Sequence, residues 1–548
     1  MPLQKNQVLT LRVERLSSDG SGVAHSPDGE TVFIPGAAPG DEARVRIVKD
    51  CKRYAFGILD EVLTPSPDRI PVDCAVAGPC GGCSLRHLDY AAELRAKQEN
   101  VADAFARIGG LDVPVLPIVG SPEVNRYRNK VQFPVGVDKS GKPCIGFYAG
   151  RTHRIVPCPD CRLQPGVLNE IGNALCAFFA EKGIQPYSEE TGRGLVRHIF
   201  LRRGAHSGQI MVCLVCTRAK LPSAEELCTR LKAQFAEITT ILLNVNAKNT
   251  NVILGTETHT LYGQGYIEDT LCGVPVQLGP LSFYQVNTLA AEQLYGIAAQ
   301  YAQLTPDDLL LDLYCGMGTI GLSMAAHCRE LIGVEIVPEA IESAKANAAR
   351  MGADVAAKSR FFCADAGQAA TRLAAEGLHP DIVMLDPPRK GCDEATLSAV
   401  VRMSPRRVVY VSCNPATAAR DAAWLEQNGY HAEKVQPVDL FPRTRHCEAV
   451  LLLTKLHVER HIEVDVSMDE LDVTAAESKA TYNEIRDYVW EHYQLKVSNL
   501  YIAQVKQKHG IIERENYHKA KNENAKQPKC PKEKEDATVE ALRHFQMI

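Results

Sequence analysis

Between residues 309 and 453 the chain repeats one pattern: a short, mainly apolar run, a turn, then a stretch with helical periodicity. The runs lie at 309–313, 331–335, 382–385, 408–411 and 449–453. An unbroken apolar run, as opposed to an alternating one, belongs to a strand covered on both faces. Strand and helix in alternation build a parallel sheet. This stretch is therefore an open α/β domain with a parallel sheet.

The chain has 548 residues, too many for one core, and several domains are expected. Residues 1–62 read as short strands and turns; Ala43-Arg44-Val45-Arg46-Ile47-Val48 alternates as a half-buried strand should, and the segment suggests a small, OB-like β-barrel. Residues 63–268 form a central α+β region, with a cysteine-bearing loop and then a helix over 93–109 that packs on the domain at 269–456. Residues 457–548 form a tail: an acidic linker at 459–474, an amphipathic helical stretch at 478–512, and a Lys/Glu/Asn/Pro-rich stretch at 514–535 expected to be mobile. No apolar run is long enough to span a bilayer and the N-terminus is no secretory signal, so a cytoplasmic protein without a membrane partner is expected. Net charge is −5, which leaves any nucleic-acid binding to local basic surfaces. Nineteen cysteines without an export signal argue for metal binding or chemistry at the clustered ones, not for a disulfide scaffold. Cys176, Cys213, Cys216, Cys228, Cys272 and Cys363 sit in apolar surroundings and read as core residues.

The first run, ending Asp312-Leu313, feeds into Tyr314-Cys315-Gly316-Met317-Gly318-Thr319-Ile320-Gly321. This is strand, glycine-rich turn, helix; glycines at 316 and 318 let the backbone turn tightly and approach a ligand. Glu335 ends the next run, where an acid suits ribose hydroxyls. The turn alone fits a dinucleotide as well as S-adenosylmethionine. Asp386-Pro387-Pro388-Arg389, at the carboxyl end of a later strand, lies where open sheets bind ligands and tips the balance to S-adenosylmethionine.

Cys413 follows the run at 408–412, again at a carboxyl end, and Pro415 starts a helical pattern just after it. A thiolate there can be activated by positive charge or a helix N-terminus; an inert buried thiol is the alternative. Carbon 5 of a pyrimidine is a poor nucleophile, but a thiolate added to carbon 6 makes it enolate-like. A base must later remove the carbon-5 proton, and Glu448 is the candidate. The competing role for Glu448 is a salt bridge to Arg443 or Arg445.

On these residues the chain resembles the RNA uracil-5-methyltransferases, particularly the branch acting on large-subunit rRNA, over roughly residues 5–455. The resemblance rests on Ser282-Phe283-Tyr284-Gln285-Val286-Asn287, Asp312-Leu313-Tyr314-Cys315-Gly316, Asp386-Pro387-Pro388-Arg389, Ser412-Cys413-Asn414-Pro415 and Pro437-Val438-Asp439-Leu440-Phe441-Pro442. It implies a Rossmann-like methyltransferase domain at 269–456. It also implies that Gln285, Tyr314, Glu335 and Asp386, with Gly316 and Gly318 of the turn, hold S-adenosylmethionine, with Cys413 as nucleophile and Glu448 as base. Residues 8–62 resemble a TRAM domain, whose Lys49, Lys52 and Arg53 could meet phosphates. The sequence departs from the family at Arg443, often His, and at Cys447, commonly Val.

Three close cysteines and a distant Cys158-Pro159-Asp160-Cys161 suit zinc or an iron–sulfur cluster by spacing alone. The resemblance favours a [4Fe-4S] cluster on Cys74, Cys80, Cys83 and Cys161 with a structural role. Two basic clusters, at 126–130 and 193–203, are candidate RNA contacts. The expected activity is methylation of carbon 5 of a uridine in 23S rRNA, without an obligate protein partner. The alternatives are the same chemistry on tRNA, a radical S-adenosylmethionine enzyme carrying a TRAM domain, or a non-catalytic RNA-binding protein.

Overall fold

The computed structural model describes residues 3–150, 152–248, 251–456, 482–509, 530–545 and 547–548. These group into two compact units, 1–457 and 458–548.

The first unit opens with β1 (Val8–Leu16), β2 (Ser21–His25), β3 (Thr31–Pro35), β4 (Glu42–Asp50) and β5 (Tyr54–Thr64), closed as a barrel in the order β1-β2-β3-β5-β4. Period-two patterning turns Leu11, Val13, Val32, Ile34, Val45 and Ile47 into its core. A seven-stranded sheet follows: β6 (Lys130–Val137), β7 (Pro143–Tyr148), β8 (Ile155–Pro157), β9 (Val196–Arg203), β10 (Ile210–Cys216), β11 (Ile238–Val245) and β12 (Glu257–Tyr262), ordered β12-β11-β10-β9-β6-β7-β8. A hairpin, β13 (Ile267–Leu271) and β14 (Val274–Leu278), leads to the third sheet.

That sheet comprises β15 (Leu309–Leu313), β16 (Glu330–Glu335), β17 (Ser359–Cys363), β18 (Ile382–Leu385), β19 (Arg407–Ser412), β20 (Tyr430–Val438) and β21 (Glu448–Lys455), ordered β17-β16-β15-β18-β19-β21-β20. The first five strands are parallel, but β21 runs antiparallel to both neighbours. The parallel direction expected for 449–453 is thus corrected. An apolar run records burial on both faces and carries no direction.

Of the cysteines expected in cores, Cys176, Cys213, Cys216 and Cys228 are buried, Cys272 is half-buried and Cys363 is exposed. The second unit gathers helices Tyr482–Tyr493, Asn499–Lys508 and Lys532–His544 around Ile485, Val489, Ile502, Val505, Ala541 and Leu542. The single helical stretch expected at 478–512 is broken, and Ser498 caps its second half. Helix also reaches back to Lys532, within the stretch expected to be mobile, while the acidic linker at 459–474 lies outside the described residues. Among the described residues no helix is long and apolar enough to cross a membrane.

One buried polar group joins distant parts of the first unit. Helix Tyr90–Asp103, with Val101 and the following Phe105, packs into the core of the third sheet. From it, the Lys97 ammonium donates to Glu93 Oε1 (2.8 Å), Asp439 Oδ1 (2.7 Å) and the Phe441 carbonyl (3.1 Å). The side chains of all three charged residues are 1% exposed or less. Glu93 also accepts from the Arg443 amide, and Tyr90 donates to Asp439 Oδ2. Removing one partner of a dry ion pair leaves an uncompensated charge. Lys97→Met is therefore expected to destabilise the first unit by about 3–5 kcal/mol in guanidinium unfolding. Adding Glu93→Gln and Asp439→Asn should recover much of the loss.

Candidate active site

The carboxyl ends of β15, β16, β18 and β19 and the start of β21 open on one cavity of about 1160 Å³, lined by Gln285, Tyr314, Glu335, Asp386, Cys413 and Glu448 among others. It lies where an open sheet presents its strand ends.

After β15 the backbone turns through left-handed conformations at Tyr314 (φ +66°), Gly316 (φ +55°) and Gly318 (φ +80°) before helix Thr319–Met324. Asp312 holds the far side: its Oδ2 accepts from the Gly321 amide at 3.0 Å, and a Cβ on Gly321 would stand 2.7 Å from that oxygen. Burial, with Asp386 and Glu335 nearby, raises the Asp312 carboxyl to about 8. Glu335 is fixed by backbone amides, accepting from Gly316 (3.2 Å), Ile336 (2.9 Å) and Val337 (3.0 Å). A Cβ on Gly316 would meet no protein atom within 4 Å, so the turn leaves an open cradle beside Glu335. The loop bearing Gln285 is held from the central sheet. Asn129 Nδ2 donates to the Gln285 carbonyl (2.8 Å), and the Arg202 guanidinium donates to the Gly279 and Ser282 carbonyls (both 2.7 Å).

The reversal of β21 brings Cys413 and Glu448 together. Ser412 pairs with Ala449, so the residue after one and the residue before the other flank the same strand end. Asn414 caps helix Pro415–Gln427 through its Oδ1 and donates through Nδ2 to the Arg389 carbonyl (3.0 Å); Thr417 donates to the same carbonyl. The positive charge of Arg389 acts on the Cys413 thiol. Burial, with the Glu448 and Asp386 carboxyls nearby, pushes the Cys413 thiol up, and Arg389 opposes that rise. Glu448 is raised to about 8, first by burial, then by Asp386, against Arg389; burial raises Asp386 to about 7. Among the described residues neither carboxyl side chain has a hydrogen-bond donor, and Glu448 makes no salt bridge to Arg443 or Arg445. Arg443 binds Glu93 and the Leu88 carbonyl instead. Cys447 is buried, its thiol against the Val438 carbonyl.

The same cavity is lined further on by Cys74, Cys80, Cys83, Cys158 and Cys161. The Cys161 thiol is lowered to about 6, chiefly by a hydrogen bond from Cys158. Among the described residues no three His, Cys, Asp or Glu side chains are set to hold a single metal ion.

The basic clusters are divided. Arg128 and Lys130 line the cavity, but Arg126 pairs with Asp160 (2.7 Å) and buried Tyr127 donates to the Pro442 carbonyl. Arg197 and Arg202 are buried and donate to backbone carbonyls, so they are braces and not RNA contacts. Among the cavity residues to which sequence reasoning assigned no role are Phe283, Tyr295, Arg389 and His446. Phe283 and Arg389 stand inside motifs already singled out, which was the available signal. Tyr295 carried none, sitting in the apolar stripe of helix Thr288–Ala302. His446 is lowered to about 4, first by burial, then by Arg389 and other cations.

A model described as tRNA (Uracil-5-)-methyltransferase matches residues 206–456, and a TRAM domain model matches residues 2–59. An uncharacterized RNA methyltransferase of Halalkalibacterium halodurans is 43% identical over 453 residues, covering 82% of this chain and 98% of its own length. One of Clostridium tetani is 40% identical over 454 residues, covering 83% and 98%. The crystal structure of Pyrococcus abyssi tRNA (uracil-54, C5)-methyltransferase in complex with S-adenosyl-L-homocysteine aligns at a TM-score of 0.65 and 26% identity, covering 81% of this chain and all of that one. The open sheet and its cavity are those of an S-adenosylmethionine-dependent methyltransferase. The chain belongs to the RNA (uracil-5-)-methyltransferase family, with a TRAM barrel at its N-terminus.

A side chain grown into the Gly316 cradle should compete with the cofactor. Gly316→Ala adds only a methyl at this left-handed position, a strain of about 1–2 kcal/mol, and is expected to remain folded but to bind S-adenosylhomocysteine at least about tenfold more weakly in calorimetry, roughly 1.4 kcal/mol.

Proposed function

We propose that the protein methylates carbon 5 of a uridine in 23S rRNA, with Cys413 as nucleophile and Glu448 as base. The observation that carries this reading is the placement of a thiol and a carboxyl lacking any donor at one strand end, flanked by Arg389. The Cys413 thiolate adds to carbon 6, and the ring electrons move onto carbon 5 and oxygen 4. Carbon 5 takes the methyl group that S-adenosylmethionine supplies, leaving S-adenosylhomocysteine. Glu448 removes the carbon-5 proton; those electrons restore the carbon 5–carbon 6 double bond and expel the thiolate. Gln285, Tyr314, Glu335, Asp386, Gly316 and Gly318 are assigned to the cofactor, an assignment supported by the open cradle and the amide-fixed Glu335. Phe283, 71% exposed on the cavity wall, offers a ring face to a base turned out of its stack.

Cys74, Cys80, Cys83 and Cys161 are assigned to a [4Fe-4S] cluster. All four residues line one cavity. The cluster would tie the 74–83 loop to the central sheet; methyl transfer by this route needs no redox step. Protein purified without oxygen should contain about four irons and four sulfides, and Cys83→Ser should lose them.

The rRNA assignment rests on likeness to the ribosomal branch, whereas the Pyrococcus relative is named for tRNA. Mapping 5-methyluridine in 23S rRNA and tRNA of a deletion strain decides between them. Loss confined to tRNA would overturn the rRNA reading. Cys413→Ala should abolish transfer, and Glu448→Gln should accumulate a covalent RNA adduct on denaturing gels.

Both groups must lose a proton to act, and both sit above their ordinary values. The rate should therefore climb with pH through about 8, with no requirement for an acidic group. Arg389→Gln removes the cation that lowers both, so kcat/KM at neutral pH should fall about tenfold or more, with the gap closing in alkali.

A further inference from the structure

His446 shares the cavity with Asp386, Arg389, Cys413 and Glu448, yet neither cofactor binding nor proton removal employs it. Its place follows from the chain that leads into β21. Side chains alternate along an extended chain. His446 and Glu448 line the cavity, while Cys447 between them is buried in the core of the sheet with its thiol against the Val438 carbonyl. The turn before His446 is pinned. The Thr444 hydroxyl donates to the Phe441 carbonyl (2.8 Å) and accepts from the His446 amide (3.3 Å), and Lys97 donates to the same carbonyl (3.1 Å). The imidazole packs T-shaped against the Phe441 ring, with centroids 6.1 Å apart. The side chain is thus held in the cavity wall, but among the described residues neither of its ring nitrogens has a hydrogen-bond partner.

Its surroundings narrow what it can do. Burial first, then Arg389, Arg445, Lys97 and Arg128, hold the ring down to about 4. Glu448 is raised to about 8, so His446 is the weaker base of the two and does not compete for the carbon-5 proton. A neutral imidazole still keeps one N–H, and such a group polarises a carbonyl oxygen without giving up its proton. Uracil presents such an oxygen beside the atoms that react. Oxygen 4 is carried by carbon 4, the ring neighbour of the carbon 5 from which Glu448 takes its proton. Thiolate addition at carbon 6 moves electrons through carbon 5 onto this oxygen, where the developing charge calls for a preorganised donor. Two side chains two residues apart on one face therefore serve two adjacent positions of the base.

We propose that His446 is a further catalytic residue: its ring N–H donates a hydrogen bond to oxygen 4 of the target uracil and stabilises the charge that arrives there when the Cys413 thiolate adds to carbon 6. No proton is transferred at His446. The contact strengthens on addition and relaxes when the carbon 5–carbon 6 double bond re-forms and the thiolate leaves. The proposal rests on the uridine chemistry assigned to Cys413.

The test uses the full chain and an RNA left without 5-methyluridine in the deletion strain, assembled by ligation with uridine, 4-thiouridine or 5-fluorouridine at the target position. His446→Ala should bind S-adenosylhomocysteine like the wild type in calorimetry, while single-turnover methylation slows about 100-fold, the usual cost of a lost oxyanion donor. His446→Gln, whose amide can still donate, should lose less. Sulfur accepts hydrogen bonds poorly. The uridine-to-4-thiouridine rate ratio should therefore be about tenfold larger for the wild type than for His446→Ala, a comparison in which the intrinsic reactivity of the thiocarbonyl cancels. Equal ratios in the two proteins would overturn the proposal. So would weakened S-adenosylhomocysteine binding in His446→Ala, which marks a structural role. The 5-fluorouridine RNA separates this reading from the one beneath it. A wild type that forms no covalent adduct would sink the Cys413 chemistry and this proposal with it; adducts formed at equal rates by the wild type and His446→Ala would sink the role of His446 alone.

Discussion

The buried ammonium of Lys97 is the point on which the geometry of this methyltransferase turns. It stands on a helix that precedes the central sheet in sequence, yet its partner Asp439 and the Phe441 carbonyl belong to the segment leading into β21. That segment carries His446 and Glu448. In a dry interior the three charges must be satisfied together or not at all, so helix and loop have one compatible arrangement. The central sheet adds a second set of braces through Asn129 and Arg202, which hold the loop bearing Gln285. The loops carrying Gln285 and Glu448 are thus both positioned from outside the sheet on which the cavity opens.

The cavity is electrostatically lopsided. Asp386 and Glu448 are both lifted toward neutrality by burial, and Arg389 is a cation set against the rise at Glu448 and Cys413. A site whose acids resist ionisation when empty gains from a ligand bearing positive charge.

The methyltransferase sheet was legible because burial on both faces leaves unbroken apolar runs, and Cys413 was legible because it ends one of them. The direction of β21 was missed, although 428–447 holds no helical crossover of the sort a parallel connection requires, and that was a usable signal. Arg197 and Arg202 looked like a basic surface because alternating charge on a strand normally faces water. Only the docking of the central sheet against the 279–282 loop buries Arg202, and no local pattern encodes that contact. The place of Arg389 beside the thiol was equally hidden, since it depends on Asn414 holding the Arg389 carbonyl from a different strand end. The tail helix starting at Lys532 lay beneath a composition that reads as unstructured.

The antiparallel last strand constrains how such a chain can change. Side chains alternate across a sheet with period two, so sliding β21 by one residue against β19 would turn Glu448 to the opposite face while leaving every apolar run intact. Insertions and deletions between Cys413 and Glu448 are therefore confined to places that preserve this pairing, such as the turn at Asn428-Gly429 between helix Pro415–Gln427 and β20. Within this stretch the register of β21 limits where length can change, while Asn414 and Asp439 limit which side chains can.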